Sequence, residues 1–379
     1  MAIEFVLFTS EWEAAVARFN DRMRAGNAPT AFGLPSRAGT PRAGMVHARH
    51  YLAVEGTEVR GGILILEHPA TINDTTPLGG GARRETVINL QSPLSEAIID
   101  SKYAMVSIQL IRFALKRCPY AYVVGMGSAE NPLPRLLKAS GWTVRPVPFC
   151  FRILRAARCL RQLKPLQRKP ALKIAALVGA ATGTGALALW IVQRFRTSAN
   201  GYRAERVVAS DRANELLQHA DDTLWSTIEQ RISFGVVRDS STLAAYLWPQ
   251  VERYRVYRGS ECCGWFTLLL SSMRDHAYFG NLRVATVVDV IAPRATDLGA
   301  IAVLAVECAQ AANCDLVVSN QLHEEARDGL RSAGFLSFSS NYLFATSKAL
   351  SAAIRDATSI VSRQDGDGLV NLRGADPVG

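Results

Sequence analysis

Two stretches of this chain, far apart in sequence, follow one plan. Tyr122-Val123-Val124 through Lys138-Ala139-Ser140-Gly141-Trp142 can be laid beside Leu316-Val317-Val318 through Arg331-Ser332-Ala333-Gly334-Phe335. Each reads as an apolar strand, a short junction, a helix, a Gly followed by an aromatic residue, and another strand. An internal repeat of this kind restricts the chain to two units of like design. The competing reading is two unrelated α/β units that both stop a helix with Gly. The 379 residues suffice for two domains, each with its own core.

The flanking periodicity extends the plan. In the first half, Phe5–Phe8 reads as a strand, and Ser10 can cap a helix over Glu11–Arg24 whose Trp12, Ala15, Val16 and Phe19 form one stripe. Strands follow at Ala48–Val54, Gly61–Glu67 and Thr86–Gln91, with a hairpin turn expected at Gly79-Gly80-Gly81. A helix over Lys102–Lys116, a strand at Ala121–Gly125, a helix over Asn131–Ser140 and a closing strand at Trp142–Phe151 complete the unit. The second half repeats the order. Its helices read from about Asp211 and over Ser240–Trp248, Asp297–Ala311 and Glu324–Ser332. Its strands read at Tyr254–Tyr257, Cys263–Leu270, Leu282–Ile291, Cys314–Ser319 and Tyr342–Thr346. The fold class is therefore α/β, two mixed sheets flanked by helices. The expected layout is a domain over 1–151, a linker over 152–200, a domain over 201–357 that folds by itself, and a disordered tail over 358–379.

A formal net charge of +10 first suggests a nucleic-acid partner. Its distribution argues otherwise. Residues 150–173 hold eight basic residues (Arg152, Arg155, Arg158, Arg161, Lys164, Arg168, Lys169, Lys173) and no acidic one, and the remainder is nearly balanced. No zinc-finger, RNP-like or GXXG signature accompanies the tract. Seven scattered cysteines without a CxxC pair give neither a disulfide framework nor a metal site, which favours a reducing compartment. The arginine spacing over 152–161 suits anionic lipid headgroups. Ile174–Gln193 is uncharged over 20 residues, the length of a membrane span, and contains the GxxxG spacing Gly179–Gly183. Two readings stay open, a membrane span and a buried or interfacial helix. The expected location is the cytoplasmic side of the inner membrane, with the cytoplasm as the alternative.

With strand Leu282–Ile291 followed by Arg294-Ala295-Thr296-Asp297-Leu298-Gly299 and a helix, both halves resemble the GNAT acyltransferase superfamily. The tandem arrangement is also similar to the Fem-type aminoacyl transferases. The resemblance implies acetyl-coenzyme A or another acyl-coenzyme A as cofactor, no metal, and transfer to an amine or hydroxyl. With the membrane signals, it implies a small-molecule or glycan-precursor acceptor of envelope or polysaccharide type. In that superfamily an Arg/Gln-x-x-Gly-x-Gly/Ala turn opens a helix whose unpaired N–H groups hold a pyrophosphate. Arg294 and Gly299 match this turn, and Asp297 stands where its first glycine belongs. As a helix cap beside an anion, Asp297 is expected to be dispensable, so that Asp297→Gly preserves or tightens coenzyme binding. Asn320 follows the next strand, where in that superfamily an Asn can hold the cofactor or a bound water; a helix-start or turn role is the other reading. The Tyr that often protonates the leaving thiolate is replaced by Leu330, and in the first half by Leu137.

Four residues are candidates for acid–base work. Asp289 lies inside an apolar strand, where a carboxylate needs a partner; it is either a catalytic base or a structural acceptor. His276 sits in the polar loop Arg274–Asn281. Glu96 and Asp100 are spaced i, i+4 and, if helical, share a face able to hold an amine. A non-catalytic GNAT-like scaffold or ligand-binding protein is the alternative function.

Overall fold

The computed structural model describes residues 3–28, 33–39, 47–74, 81–167, 193, 197–208, 215–247, 249–354, 358–366 and 376–377. Gly79 and Gly80 of the expected hairpin turn, and residues 174–192 of the apolar segment, lie outside them. The chain divides into two compact units, one of Met1–Arg145 with Leu343–Asp356, the other of Pro146–Tyr342 with Ala357–Gly379.

Numbered along the chain, the first unit holds strands β1 (Glu4–Leu7), β2 (His47–Glu55), β3 (Glu58–Asp74), β4 (Gly81–Ser95), β5 (Ala121–Val124), β6 (Thr143–Pro146) and β15 (Leu343–Thr346), in the order β1-β2-β3-β4-β5-β15-β6. The second holds β7 (Phe149–Ile153), β8 (Tyr202–Arg206), β10 (Val251–Arg258), β11 (Glu261–Ser272), β12 (Arg283–Ile291), β13 (Leu316–Asn320) and β14 (Leu336–Phe338), in the order β8-β10-β11-β12-β13-β7-β14. β4 with β5 and β12 with β13 are parallel, and their neighbours β3, β11, β15 and β7 run antiparallel to them. Both sheets are mixed and follow one plan, position for position.

Helices cover both faces of each sheet. In the first unit, Leu52 and Val54 of β2 cluster with Val16, Phe19 and Met23 of the helix Glu13–Ala25. The alternate residues Tyr51 and Ala53 cluster with Leu110, Ile111 and Ala114 of the helix Val106–Arg117. Successive strand side chains point to opposite faces, so these are the two faces of one sheet. In the second unit, Phe266 packs with Ile301 and Ala305 of the helix Ala295–Ala311. Trp265 packs with Trp225 and Ile228 of the helix Glu215–Glu229.

The expected closing strand of the first half is split. Pro146 and Pro148 have no N–H to donate, and the chain breaks into β6, which stays in the first sheet, and β7, which joins the second. β15 makes the reciprocal move: it pairs β5 through Phe344↔Val124 and Thr346↔Tyr122. Each half of the chain thus supplies a strand to the other half's sheet. The expected tail also differs. Within 358–366, β16 (Ser359–Ile360) pairs in parallel with β9 (Phe234–Val236), and Ser362 opens a capped turn over Arg363–Asp365. These residues are buried because they fill space beside β12 and β13, which local polarity does not reveal.

The basic tract is partly structural. Arg152 lies on β7, 5% exposed, and donates to the Ala333 carbonyl. Arg155 donates to Asn313 Oδ1 at 2.7 Å, and Arg158 lies 3.5 Å from buried Asp315. Reversing the charge of Arg152 therefore tests folding and not lipid contact. Among the described residues, no helix is long and apolar enough to cross a membrane.

The helix Glu324–Ser332 sits tightly on the helix Ala295–Ala311. A Cβ on Gly329 would lie 2.7 Å from Leu298 Cβ and 2.8 Å from its carbonyl carbon. Gly329→Val should destabilise the chain by about 1–3 kcal/mol through overpacking, read as a lower urea midpoint. An unchanged midpoint would mean that the helices have room to part.

Candidate functional site

Open α/β sheets bind ligands in the crevice beyond the carboxyl ends of parallel strands. In the second unit β12 and β13 pair from Val284↔Leu316 to Val287↔Ser319. β12 then continues to Ile291 against β11 alone, and a crevice opens beyond. The chain fills it with its own residues. Leu322 N donates to Val361 O at 2.9 Å, Gln321 bridges to Ser362, and Ser233 N donates to Thr358 O at 2.8 Å. What remains is a cavity of about 30 Å³ lined by Val290, Ala292, Leu298, His323, Thr358 and others. That volume holds a water or two.

Asp289 faces this filled region from β12 and is 1% exposed. Arg238 Nε donates to its Oδ2 at 2.6 Å, and Arg238 Nη2 donates to Asp365 at 2.8 and 3.0 Å. One buried guanidinium thus serves two buried carboxylates, which leaves a net negative charge. Burial pushes the Asp365 carboxyl up to about 6 against the pull of Arg238. Asp289 accepts from Arg238 through Oδ2, while its buried Oδ1 meets no hydrogen-bond donor among the described residues. Sequence reasoning missed Arg238 and Asp365, which carry no local motif.

Arg294, Asp297 and Gly299 meet at the start of the helix Ala295–Ala311. Arg294, at the N-cap, donates through Nε to Asp297 Oδ2 at 2.9 Å and through Nη2 to Glu261 at 3.0 Å. Asp297 is fully buried, lies in the first turn and is not the cap. It accepts from Tyr202 Oη at 2.8 Å, and Arg258 Nη1 lies 3.4 Å away. Its charge is therefore neutralised before any anion arrives. This reverses the expectation for Asp297→Gly, which would strip a buried carboxylate from Tyr202, Arg258 and Arg294. Gly299 is required by protein packing, since a Cβ there would meet Ser332 Oγ at 2.7 Å and Thr197 Oγ1 at 3.2 Å. An open groove of about 290 Å³ runs past Ala295, Thr296 and Gly299 to Glu325, Asp328 and Ser332. Its two carboxylates are paired, Glu325 with Arg231 at 3.0 Å and Asp328 with Arg331 at 2.5 Å. Arg231, Arg258 and Arg294 keep side-chain exposures of 47%, 41% and 45%. The Arg231–Glu325 pair and the two pairs to Glu261 are exposed on both sides and contribute little, whereas Arg258 and Arg294 also neutralise the buried Asp297 and share their remaining donors with Glu261.

The remaining candidates are separate. Asn320 is buried and donates to the carbonyls of Val147 and Pro148 at 3.1 and 3.2 Å, holding the turn into β7. His276 Nδ1 accepts from the backbone N–H groups of Tyr278 and Phe279 at 3.1 and 3.2 Å, within its own loop. In the first unit Glu96 and Asp100 do not share a helix face, because each begins or caps a different 3-10 turn. Glu96 is buried and paired with Arg22 at 2.5 Å and Arg60 at 2.9 Å. Asp100 is exposed and accepts from Lys102 N at 3.0 Å. Leu330 and Leu137 are both core residues.

His323 is a further titratable group that the sequence did not single out. It sits three residues beyond β13, at the N-cap of the helix Glu324–Ser332, and lines the residual cavity. Burial lowers its imidazole from the ordinary histidine range, which favours the neutral form. Its position just past a strand end was the available signal. Among the described residues, no group of three or more His, Cys, Asp or Glu side chains is disposed to hold a metal.

The fold defines a class: tandem α/β units, each a mixed sheet flanked by helices, consistent with the GNAT-like design expected from the sequence. No family model and no curated protein matches the chain. Among solved structures it is similar to a probable N-acyltransferase from Enterococcus faecalis, at 9% identity and TM-score 0.48, covering 91% of this chain and 72% of that one. It is similar to a GCN5-related N-acetyltransferase from Anabaena variabilis, at 11% identity and TM-score 0.49, covering 91% and 72%. A tandem GNAT protein from the clavulanic acid biosynthesis pathway gives 13% identity and TM-score 0.47, covering 91% and 98%. None of these three reaches a TM-score of 0.5, so they transfer neither activity nor substrate.

Proposed function

We propose that the chain is an acyltransferase that draws on an acyl-coenzyme A donor at the second unit. One observation carries this reading: the helix Ala295–Ala311 begins beyond the carboxyl end of a parallel strand pair, with the half-exposed Arg231, Arg258 and Arg294 around its first turn. A helix N-terminus and three guanidiniums suit a diphosphate, and the open groove beside them has room for it. The thioester arm does not fit while 358–362 fills the crevice, so binding at the reacting end requires that segment to withdraw.

The coenzyme would supply an activated acyl group. His323 would take the proton from the attacking amine or hydroxyl as the new acyl bond forms. With leucine at residue 330, the leaving thiolate would take its proton from solvent. An envelope or polysaccharide precursor as acceptor rests on the sequence resemblance together with the composition of 152–193, and a place on the cytoplasmic side of the inner membrane rests on that composition.

The filled crevice favours a second reading, a non-catalytic ligand-binding protein, because sites for ligands of this size span about 300–1,000 Å³. Titration of the full chain with acetyl-coenzyme A separates the two. The acyltransferase reading expects saturable binding, weakened by Arg294→Ala about tenfold or more through a lost charged contact. It also expects His323→Gln to abolish transfer to an amine while binding persists. Absence of binding by the unmodified chain would overturn the acyltransferase reading.

A further inference from the structure

A second cavity of the second unit, of about 300 Å³, lies between β10, the end of β8 and the helices Glu215–Glu229 and Ser240–Tyr246. It lies on residues other than those of the crevice and of the first turn of the helix Ala295–Ala311. Two arginines on its wall, Arg253 and Arg255, are 8% and 3% exposed and share one carboxylate, Asp221. Arg255 takes the better part of it, with Nε to Oδ1 at 3.0 Å and Nη2 to Oδ2 at 2.7 Å. Arg253 donates Nη1 to Oδ2 at 2.9 Å and has Nη2 2.7 Å from Oδ1 without hydrogen-bond alignment. Its Nε–H meets no acceptor.

A buried guanidinium with an unmet donor is costly unless something completes it. Burial outweighs Asp221 in lowering the Arg253 guanidinium from its ordinary value, so its one carboxylate does not compensate it fully. The face of Arg253 lies 5.0 Å from the Trp265 ring, which holds the guanidinium plane; its Nε edge is closed to solvent, so a ligand reaches it by a shift of the wall side chains. Among the described residues the charged lining is Arg206, Arg253 and Arg255 against Asp221 and Glu252, one positive charge in excess. Arg206 and Glu252 pair with each other at 2.6 Å. The rest of the wall includes Leu243, Leu247 and Val251.

We propose that this pocket binds a small organic acid, its carboxylate on the Nε edge of Arg253 and a short apolar chain against Leu243, Leu247 and Val251. A planar carboxylate matches the guanidinium edge, and apolar walls with one buried cation select an anion that carries hydrocarbon. The inference is independent of the acyl-transfer reading.

Calorimetric titration of the full chain with hexanoate, hexylammonium and inorganic phosphate tests it. Hexanoate should bind saturably, hexylammonium should not, and phosphate should bind more weakly than hexanoate. Arg253→Met leaves Asp221 paired with Arg255 and should weaken hexanoate about tenfold or more. Ala244→Trp, at an exposed position on the wall, leaves the arginines intact and should block binding by filling the cavity. Binding of hexanoate should also be unaffected by saturating coenzyme A. No saturable binding of hexanoate, equal binding of hexylammonium or phosphate, or hexanoate affinity unchanged in Ala244→Trp would each overturn the proposal.

Discussion

Arg238→Met is expected to destabilise the protein by about 3–5 kcal/mol, the usual effect of removing one partner from a buried ion pair. The guanidinium is fully buried, binds Asp289 and Asp365, and also donates to the Val236 carbonyl at 2.8 Å. Without it two carboxylates remain in the core with no cation. Pairing Arg238→Met with Asp365→Asn should recover part of the loss, because the asparagine carries no charge and can still accept from Ser362 N, as Asp365 does at 2.8 Å. The check is urea unfolding of the full-length variants followed by circular dichroism. A loss below about 1 kcal/mol would place the pair in the range of exposed ion pairs and contradict its burial.

The same triad sets a pH dependence. Asp365 is raised from 3.8 to about 6 in the folded chain. Between those values the folded state holds a proton that the unfolded state has released. By linkage this contribution favours folding most below pH 3.8 and is lost as pH rises through about 6. Asp365→Asn should remove the dependence, and an Asp365 carboxyl resonance titrating near 3.8 would refute it.

A fragment of residues 201–357 is expected to be unfolded. It lacks β7, whose five residues pair along β13 from Leu316↔Ile153 to Asn320↔Phe149 and also along β14. Every residue of β13 is buried, so losing this partner exposes an apolar edge and its backbone groups. At roughly 0.5–1.5 kcal/mol per hydrogen bond plus the lost burial, the deficit reaches the scale of a whole domain's stability, about 5–15 kcal/mol. The fragment also carries β15, whose partner β5 it lacks. Co-expressed halves of residues 1–200 and 201–379 should copurify, since each completes the other's sheet. Recovery of the 201–357 fragment as a folded monomer would contradict this.

Which helices and strands form was largely legible in the sequence. Helix Glu324–Ser332 was read at its observed bounds, and the helix expected from Asp297 starts two residues earlier at Ala295. Periods of 3.6 and 2 are local properties of a chain that must bury one face of each element. The repeat was legible for the same reason, since like units need like spacing. Partner choice was not. Nothing in Phe149–Ile153 or Leu343–Thr346 distinguishes one sheet from the other, because an alternating apolar strand satisfies any edge of matching register.

The site followed the same division. That Arg294, Asp297 and Gly299 meet at one helix start was legible because such a turn is written in consecutive residues. The burial of Asp297 was not, since it depends on Tyr202, 95 residues away. Arg238 meets Asp365 across 127 residues, and the polar sequence after Thr358 looks like tail until a crevice receives it. Sequence by itself determined which segments have a face to hide; only the tertiary structure decided where each was hidden, because burial and charge pairing depend on groups that the folded chain alone brings together.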